Sequence, residues 1–420
     1  MSNLAGLKCK ECGRAFDPGA VSVCDYCFGP LEADYNYQRA SKLATRKKIK
    51  KGTPDIWRYM ELLPLEGTRP VDLSPGFTPL LKADNLGARL GIKNLYIKDE
   101  TVNPTHSVKD RMVAVAVSRA VELGFGVVAC ASTGNLAHSL AAHAARAGLK
   151  SVIFVPHDAE PAQLAAINIY EPALIAVKGG TQRINALCNE EMARERWAFV
   201  NINLRPYYAE GAKTIAFEIA EQLGWTAPDH IVAPIASGST LTAIRKGMTE
   251  LTAVEILKTQ ETKLHGAQAE GCAPVAAAFR KKSELIQPAA PATLAKSLSI
   301  GNPADGVYAL RAARDSGGAI AAVSDNEIIE GMKTLAREEG IFAEPAGGAV
   351  VAALKQLASA RAFKAGETVV AVISGGGLKA PEALSGRLKP PRVIEPKLSE
   401  LESFLAQLRR AENVPGAVDM

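Results

Sequence analysis

The stretch Asn103-Pro104-Thr105-His106-Ser107-Val108-Lys109-Asp110-Arg111 decides how this chain reads. Its proline and small polar residues spell an irregular loop. The apolar run 112–123 that follows has helical character, so Lys109 is predicted in the first turn of a helix. The partial positive charge of a helix start disfavours an ammonium there. Only a neutral amine attacks an aldehyde, which makes Lys109 a candidate Schiff-base lysine.

On either side, short β-branched runs alternate with Ala-rich helical stretches. The runs at 95–97, 127–129, 152–155, 174–177, 230–233, 319–323 and 369–373 mostly stop near Gly, Ser or Pro, a rhythm that predicts parallel sheets wrapped by helices. So many units exceed one doubly wound sheet. Two lobes with a cleft are expected, with ligands where loops leave the carboxyl ends of strands. Ser132-Thr133-Gly134-Asn135 opens a helix and is suited to a carboxylate, while Ser237-Gly238-Ser239-Thr240 opens another and is suited to a phosphate. Ser374-Gly375-Gly376-Gly377 follows the last run, and Glu344-Pro345-Ala346-Gly347-Gly348 starts a further helix. Ser324 and Glu327 have the spacing of a capping box. Segment 390–420 contains one amphipathic helix, near 398–410, and then an unstructured end.

The 420 residues carry a formal charge of +5, are 47% hydrophobic and only 5% aromatic, the balance of an α/β enzyme with two or three domains. So small a charge excess argues against non-specific nucleic-acid binding and leaves room for local sites that take small anions. The start of the sequence lacks a basic-then-apolar leader, and no apolar run reaches the ~20 residues of a spanning helix, so a cytoplasmic protein without a membrane partner is expected. Four of the seven cysteines form two knuckles, Cys9-Lys10-Glu11-Cys12 and Cys24-Asp25-Tyr26-Cys27, eleven residues apart. That spacing suits one tetrahedral Zn²⁺ in a structural cap. Cys130, Cys188 and Cys272 are isolated and read as core residues. The basic stretch from Lys42 to Lys51 reads as a solvated helix face, and His138 and His143, five apart, as ordinary helix residues.

Taken together, these segments resemble the fold-type II pyridoxal-phosphate (PLP) family, which includes threonine synthases, threonine and serine dehydratases, cysteine synthases and the tryptophan synthase β subunit. Ser107-Val108-Lys109-Asp110-Arg111 matches the motif of the cofactor lysine, and Ser132–Asn135 the asparagine loop. Segment 237–241 falls at the phosphate loop and Ser374 at the partner of the pyridine nitrogen. Within the family the chain is most similar to threonine synthases, through the 103–111 pattern, Glu210-Gly211-Ala212-Lys213-Thr214, Ile300-Gly301-Asn302-Pro303 and the N-terminal cysteine segment.

The resemblance implies a two-lobed fold like that of the tryptophan synthase β subunit, doubly wound and preceded by a zinc ribbon. Its expected parts are a ribbon at 1–35, a large PLP-binding lobe at 36–105 and 206–390, a smaller lobe at 106–205, and a C-terminal helix and tail at 391–420. It further implies PLP on Lys109, with Asn135 at the ring oxygen and Ser374 at the ring nitrogen. Ser237, Gly238, Ser239, Thr240 and Leu241 would hold the cofactor phosphate, and Ser132 and Thr133 the substrate carboxylate. The implied reaction turns O-phospho-L-homoserine and water into L-threonine and phosphate; β-replacement, or dehydration of threonine or serine, is the alternative on the same cofactor. The partner is a small anionic amino acid, and a homodimer stays open. The family often has glycine where His106 stands, and many threonine synthases carry arginine where this chain has Tyr208. Arg205 and Arg146 are the expected replacements for a grip on the substrate phosphate.

Overall fold

The structure, a computed structural model, describes residues 3–67, 70–179, 181–258 and 262–412. β1 (Leu4–Cys9), β2 (Ala15–Phe16) and β3 (Leu31–Tyr35) pair antiparallel in the order β2-β1-β3 and carry the cysteine knuckles. The chain then lays down β4 (Leu80–Lys82) and β5 (Asn94–Asp99) before departing to build a separate sheet. That sheet comprises β6 (Val127–Ala131), β7 (Lys150–Pro156), β8 (Ala173–Val177) and β9 (Ala198–Phe199), all parallel, in the order β8-β7-β6-β9. It returns with β10 (His230–Pro234), β11 (Lys263–Ala269), β12 (Ile320–Val323) and β13 (Thr368–Ile373). These join the earlier pair in a six-stranded sheet, β12-β11-β10-β13-β5-β4, parallel except for β4. The two-lobed α/β expectation holds; six of the seven anticipated runs lie within a strand, and 319–323 overlaps β12 from Ile320 onwards.

β11 had no such signal. Lys263-Leu264-His265-Gly266-Ala267-Gln268-Ala269 has one large aliphatic residue, yet it sits between β10 and β12 and is buried along most of its length. Its small residues answer to its neighbours: a Cβ on Gly266 would stand 2.2 Å from Ile235 Cδ1. Segment 384–420 forms a second unit. Within it lies the helix Leu398–Glu412, and Arg392 rests 4.9 Å from the Phe404 ring centroid. Residues 413–420, where an unstructured end was expected, lie outside the described residues. Among the described residues no helix is long and apolar enough to cross a membrane.

Two helices meet at the centre of the first unit. Helix Lys109–Glu122 is buried almost all round, and helix Arg205–Gln222 crosses it so closely that a Cβ on Gly211 would stand 2.1 Å from the Arg111 carbonyl oxygen. Only glycine permits that approach. At the crossing Arg111, fully buried, donates through Nε to Glu100 Oε2 at 2.6 Å and through Nη2 to Glu100 Oε1 at 2.8 Å. The same guanidinium meets both carboxylate oxygens of Glu218, and Thr214 Oγ1 accepts from Nη1 at 3.0 Å. Lys98, also buried, donates to Glu218 Oε2 at 2.7 Å and to the Thr78 carbonyl at 2.6 Å. Two cations thus meet two carboxylates, and the cluster is neutral in a place where a lone charge would cost several kcal/mol.

Burial alone would push the Glu218 carboxyl up, but Arg111 and Lys98 hold it down at about 2, below the ordinary 4.5. A carboxyl depressed in the folded state contributes stability above its unfolded value and loses it as pH falls from about 4.5 towards about 2. Arg111→Met is expected to cost about 3–5 kcal/mol at neutral pH, because it leaves Glu100 buried without its cation and Glu218 with Lys98 alone. In urea unfolding across pH 3–7 the variant's stability should also fall less steeply with acid than the wild type's. A loss below about 1 kcal/mol would show that surface-type pairing, not a buried network, is at work.

Candidate active site

The chemistry-bearing loops leave the carboxyl ends of β5, β6, β10 and β13. The first and last are tied together through their backbones. Val108 N donates to the Ser374 carbonyl at 2.9 Å, Gly376 N to the His106 carbonyl at 2.9 Å, and Ser107 and Gly375 form a β-bridge. Asp110 staples the same loop from below, accepting from Thr105 N at 2.6 Å, Thr105 Oγ1 at 2.7 Å and Ser139 Oγ at 2.6 Å. His106 is exposed and has φ +60°, the left-handed region. The backbone here is one that glycine adopts without strain and that a residue with a Cβ adopts less readily.

Lys109 is the first residue of its helix and is half-buried. Its Nζ lies 3.7 Å from Met112 Sδ and 5.8 Å from the ring centroid of Tyr208. Among the described residues no carboxylate pairs with it. Asn135 begins the helix Asn135–Ala147, and Ser132 and Thr133 lie half-buried in the loop before it, Ser132 Oγ accepting from Gly134 N at 3.3 Å.

Sequence reasoning ranked Glu344 behind these residues, and the structure puts it between them. Its buried carboxylate accepts from Asn135 Nδ2 at 3.0 Å and from Ser374 Oγ at 3.3 Å, so one acid joins the two side chains expected at opposite edges of the cofactor ring. Burial pushes this carboxyl up, opposed by those two hydrogen bonds and by the charges of Lys379 and Lys109. The acid fits because residue 375 is glycine; a Cβ there would stand 2.6 Å from Glu344 Oε1. Its sequence signals were its place at the start of the helix Pro345–Ser359 and the family resemblance, which puts that segment near the cofactor ring.

Segment 237–241 caps the helix Ser239–Ala253. Ser237 Oγ and Ser239 Oγ are 3.0 Å apart, Gly238 has φ +93°, and Leu241 is buried in a hydrophobic core cluster. The half-buried Thr240 adds a hydroxyl. The first amides of a helix have no intrahelical acceptor, so this start is a natural anion receptor.

The two arginines expected at the substrate phosphate are engaged elsewhere. Arg205 Nη2 meets Asp305 Oδ1 at 2.6 Å beside segment 237–241, and Arg146 Nε donates to the Asp72 carbonyl at 3.0 Å from an exposed position. A cation that the sequence did not single out lies nearer. Lys379 donates to the Thr105 carbonyl at 2.6 Å, and burial draws its ammonium down to about 8 against the pull of Glu344 and Asp110. Of the two helix histidines, His143 is buried with Nδ1 on the Ser139 carbonyl at 2.9 Å, and burial lowers His138 to about 4.

The cysteine ligand atoms of Cys9, Cys12, Cys24 and Cys27 all lie within 4.8 Å of one another, with Cys9–Cys27 at 3.4 Å and Cys12–Cys24 at 3.7 Å. Four thiolates on a tetrahedral zinc at ~2.3 Å would stand at comparable separations. The Cys12 amide, foremost, holds the Cys9 thiol at about 7, nearer the thiolate that a metal needs. Cys130, Cys188 and Cys272 are buried, and the basic stretch forms the exposed short helix Arg46–Lys51.

Residues 71–375 match the family described as pyridoxal-phosphate dependent enzyme, and the chain belongs to that family. Among its relatives are threonine synthases. It is 39% identical over 404 residues to the threonine synthase of Methanocaldococcus jannaschii, covering 96% of this chain and 99% of that one. Against the threonine synthase of Methanosarcina acetivorans it is 38% identical, with 95% and 98% covered. The fold is shared with a pyridoxal 5'-phosphate-dependent aspartate racemase at a TM-score of 0.64 and 19% identity, covering 80% of this chain and 98% of that one. Maize serine racemase matches at a TM-score of 0.61 and 19% identity, with 80% and 94% covered.

The residues fit the cofactor. A half-buried lysine without a carboxylate partner suits an aldehyde, a glycine-bent helix start lined by hydroxyls suits a phosphate, and Ser374 supplies a neutral hydroxyl at the end of β13. The turn at His106 yields its own test. His106→Gly is expected to change stability by less than about 1 kcal/mol, the relief of a left-handed residue being offset by the freedom glycine adds to the unfolded chain. His106→Val should cost about 1–3 kcal/mol, because a β-branched residue resists positive φ. Thermal unfolding of the two variants side by side reads the difference.

Proposed function

We propose that this protein is a PLP-dependent lyase that converts O-phospho-L-homoserine and water into L-threonine and phosphate. The observation that carries the reading is a Lys109 loop locked onto the Ser374 loop, with Asn135 and Ser374 sharing the acid Glu344, in a chain that aligns with threonine synthases over nearly its whole length. Bound PLP supplies an electron sink for negative charge on the substrate carbons.

The chain's residues do the rest. Lys109 would hold the cofactor, yield it to the substrate amine and move protons at the substrate's α- and β-carbons, a double duty that its lack of a carboxylate partner permits. Ser132 and Thr133 bind the α-carboxylate at the start of helix Asn135–Ala147, which fixes the plane of the substrate. Asn135 addresses the ring oxygen, Ser374 the ring nitrogen, and segment 237–241 the cofactor phosphate. A neutral hydroxyl at the ring nitrogen, rather than an acid, suits elimination and replacement chemistry. Over the reaction the γ-carbon–oxygen bond breaks to release phosphate, a proton goes to the γ-carbon to complete the methyl group, and water delivers a hydroxyl to the β-carbon in place of the proton removed there. For the substrate phosphate we favour Lys379 over Arg205 and Arg146, since it is held on the Thr105 carbonyl within the Lys109 loop while Arg205 is paired with Asp305 and Arg146 is exposed on the Asp72 carbonyl. The cysteine ribbon is proposed to hold one Zn²⁺.

Incubation with O-phosphohomoserine should release phosphate and threonine in equal amounts, and O-phosphoserine should release neither; the reverse pattern would favour β-replacement. Borohydride treatment followed by peptide mapping should place the pyridoxyl group on Lys109, and a label on another lysine would refute the assignment. Lys379→Met should raise KM for O-phosphohomoserine by about ten- to a hundredfold, the loss of one charged hydrogen bond. An unchanged KM would remove Lys379 from the substrate site.

A further inference from the structure

The position of Arg205 opens a second question, because its partner Asp305 touches the phosphate loop directly. Asp305 N donates to the Ser237 carbonyl at 2.8 Å, and a Cβ on Gly238 would stand 2.6 Å from the Asp305 carbonyl oxygen. The turn Ser237-Gly238 is therefore moulded on residue 305, and Arg205 holds residue 305 by its carboxylate. Asp305 also caps the helix Gly306–Asp315, whose Tyr308 is gripped from the other side by the ribbon. The two residues inside the first cysteine knuckle make that grip. Lys10 Nζ lies 4.5 Å from the Tyr308 ring centroid, and Glu11 accepts a hydrogen bond from the Tyr308 hydroxyl. Lys10 and Glu32 of the ribbon also line one cavity with Arg205, Asp305 and Ser239.

We propose that Arg205 and Asp305 are positioning residues of the cofactor phosphate loop, and that the metal-bound cysteine ribbon braces them through Lys10, Glu11 and Tyr308, so that PLP affinity depends on metal in the ribbon. A knuckle without its metal has no fixed turn on which to present Lys10 and Glu11. Helix Gly306–Asp315 then loses its outer support, and the Ser237-Gly238 turn becomes free to depart from the geometry that receives a phosphate. This rests on the reading that segment 237–241 holds the cofactor phosphate and that the four cysteines hold a metal.

The test is a spectroscopic titration of full-length apo-protein with PLP, accompanied by metal analysis, circular dichroism and the KM for O-phosphohomoserine at saturating PLP. Arg205→Met and Asp305→Asn should each raise the Kd for PLP about tenfold, the scale of one charge-assisted hydrogen bond, and leave KM unchanged. Stripping the metal from the wild type should raise that Kd comparably and add little in Arg205→Met, because both changes act on one chain of contacts. If stripping unfolds the protein, Tyr308→Phe decides instead: it keeps the cysteines and the ring, removes the hydroxyl on Glu11, and should still raise the Kd. An Arg205→Met variant with raised KM and unchanged Kd would overturn the inference and return Arg205 to the substrate. A Kd indifferent to the metal, or a purified protein without metal, would overturn the link to the ribbon. Ser239→Ala is the control: if it leaves PLP binding intact, the reading of the loop itself fails, whereas a weakened Ser239→Ala beside a silent Arg205→Met refutes only the present inference.

Discussion

The buried guanidinium of Arg111 is the constraint on which the site depends. It is two residues from Lys109 on the same helix, and its donors are shared between Glu100, which follows β5, and Glu218 on the crossing helix. A guanidinium is rigid and planar, so satisfying two carboxylates fixes its place and with it the rotation of the helix that presents Lys109. Gly211 lets the crossing helix come close enough for Glu218 to reach. A lysine at position 111 would lack the fork, and a larger residue at 211 would separate the helices.

A second cluster repeats the device where the helix Arg205–Gln222 meets the helix Ser239–Ala253. Glu210 accepts from the Tyr35 hydroxyl at 2.7 Å and from Lys246 Nζ at 2.8 Å, Lys213 lies between Glu210 and Glu250, and Lys246 also reaches the Ala33 carbonyl at 2.6 Å. Burial would raise the Glu210 carboxyl, but the two lysines hold it at about 2. Tyr35 and Ala33 belong to β3, so this cluster ties the cysteine ribbon to the helices Arg205–Gln222 and Ser239–Ala253. The Glu210-Gly211-Ala212-Lys213-Thr214 motif is thus an architectural element: each of Glu210, Gly211, Lys213 and Thr214 serves one of the two clusters or the helix contact between them.

With the helices so placed, the loops at the carboxyl ends of the strands close a site whose shared member is Glu344. An acid between Asn135 and Ser374 lets two loops from different lobes respond to one group. Its burial, the glycine at 375 and the charges of Lys109 and Lys379 make it the centre of the local electrostatics.

Much of this was legible in the sequence, and for a definite reason. The strand-loop-helix rhythm, the lysine at a helix start, the hydroxyl loops and the cysteine knuckles are all patterns of neighbours, and neighbours are what periodicity and loop chemistry report. They were enough to expect two lobes and, through the family they resemble, the cofactor. What they left open was settled by groups far apart in the chain. β11 is a strand because β10 and β12 flank it and leave no volume for large side chains, so its composition carries no strand signal. Arg205 read as a free cation until Asp305, a hundred residues away, was seen to hold it. Lys379 had no local signature, and the helix start at Glu344 did not show that its carboxylate would join Asn135 to Ser374, since burial and the approach of other loops create their properties. Local pattern specifies which groups a chain has available; the tertiary structure decides which of them stand unpaired where a ligand will bind, because charge pairing and desolvation are set by what packs against each group.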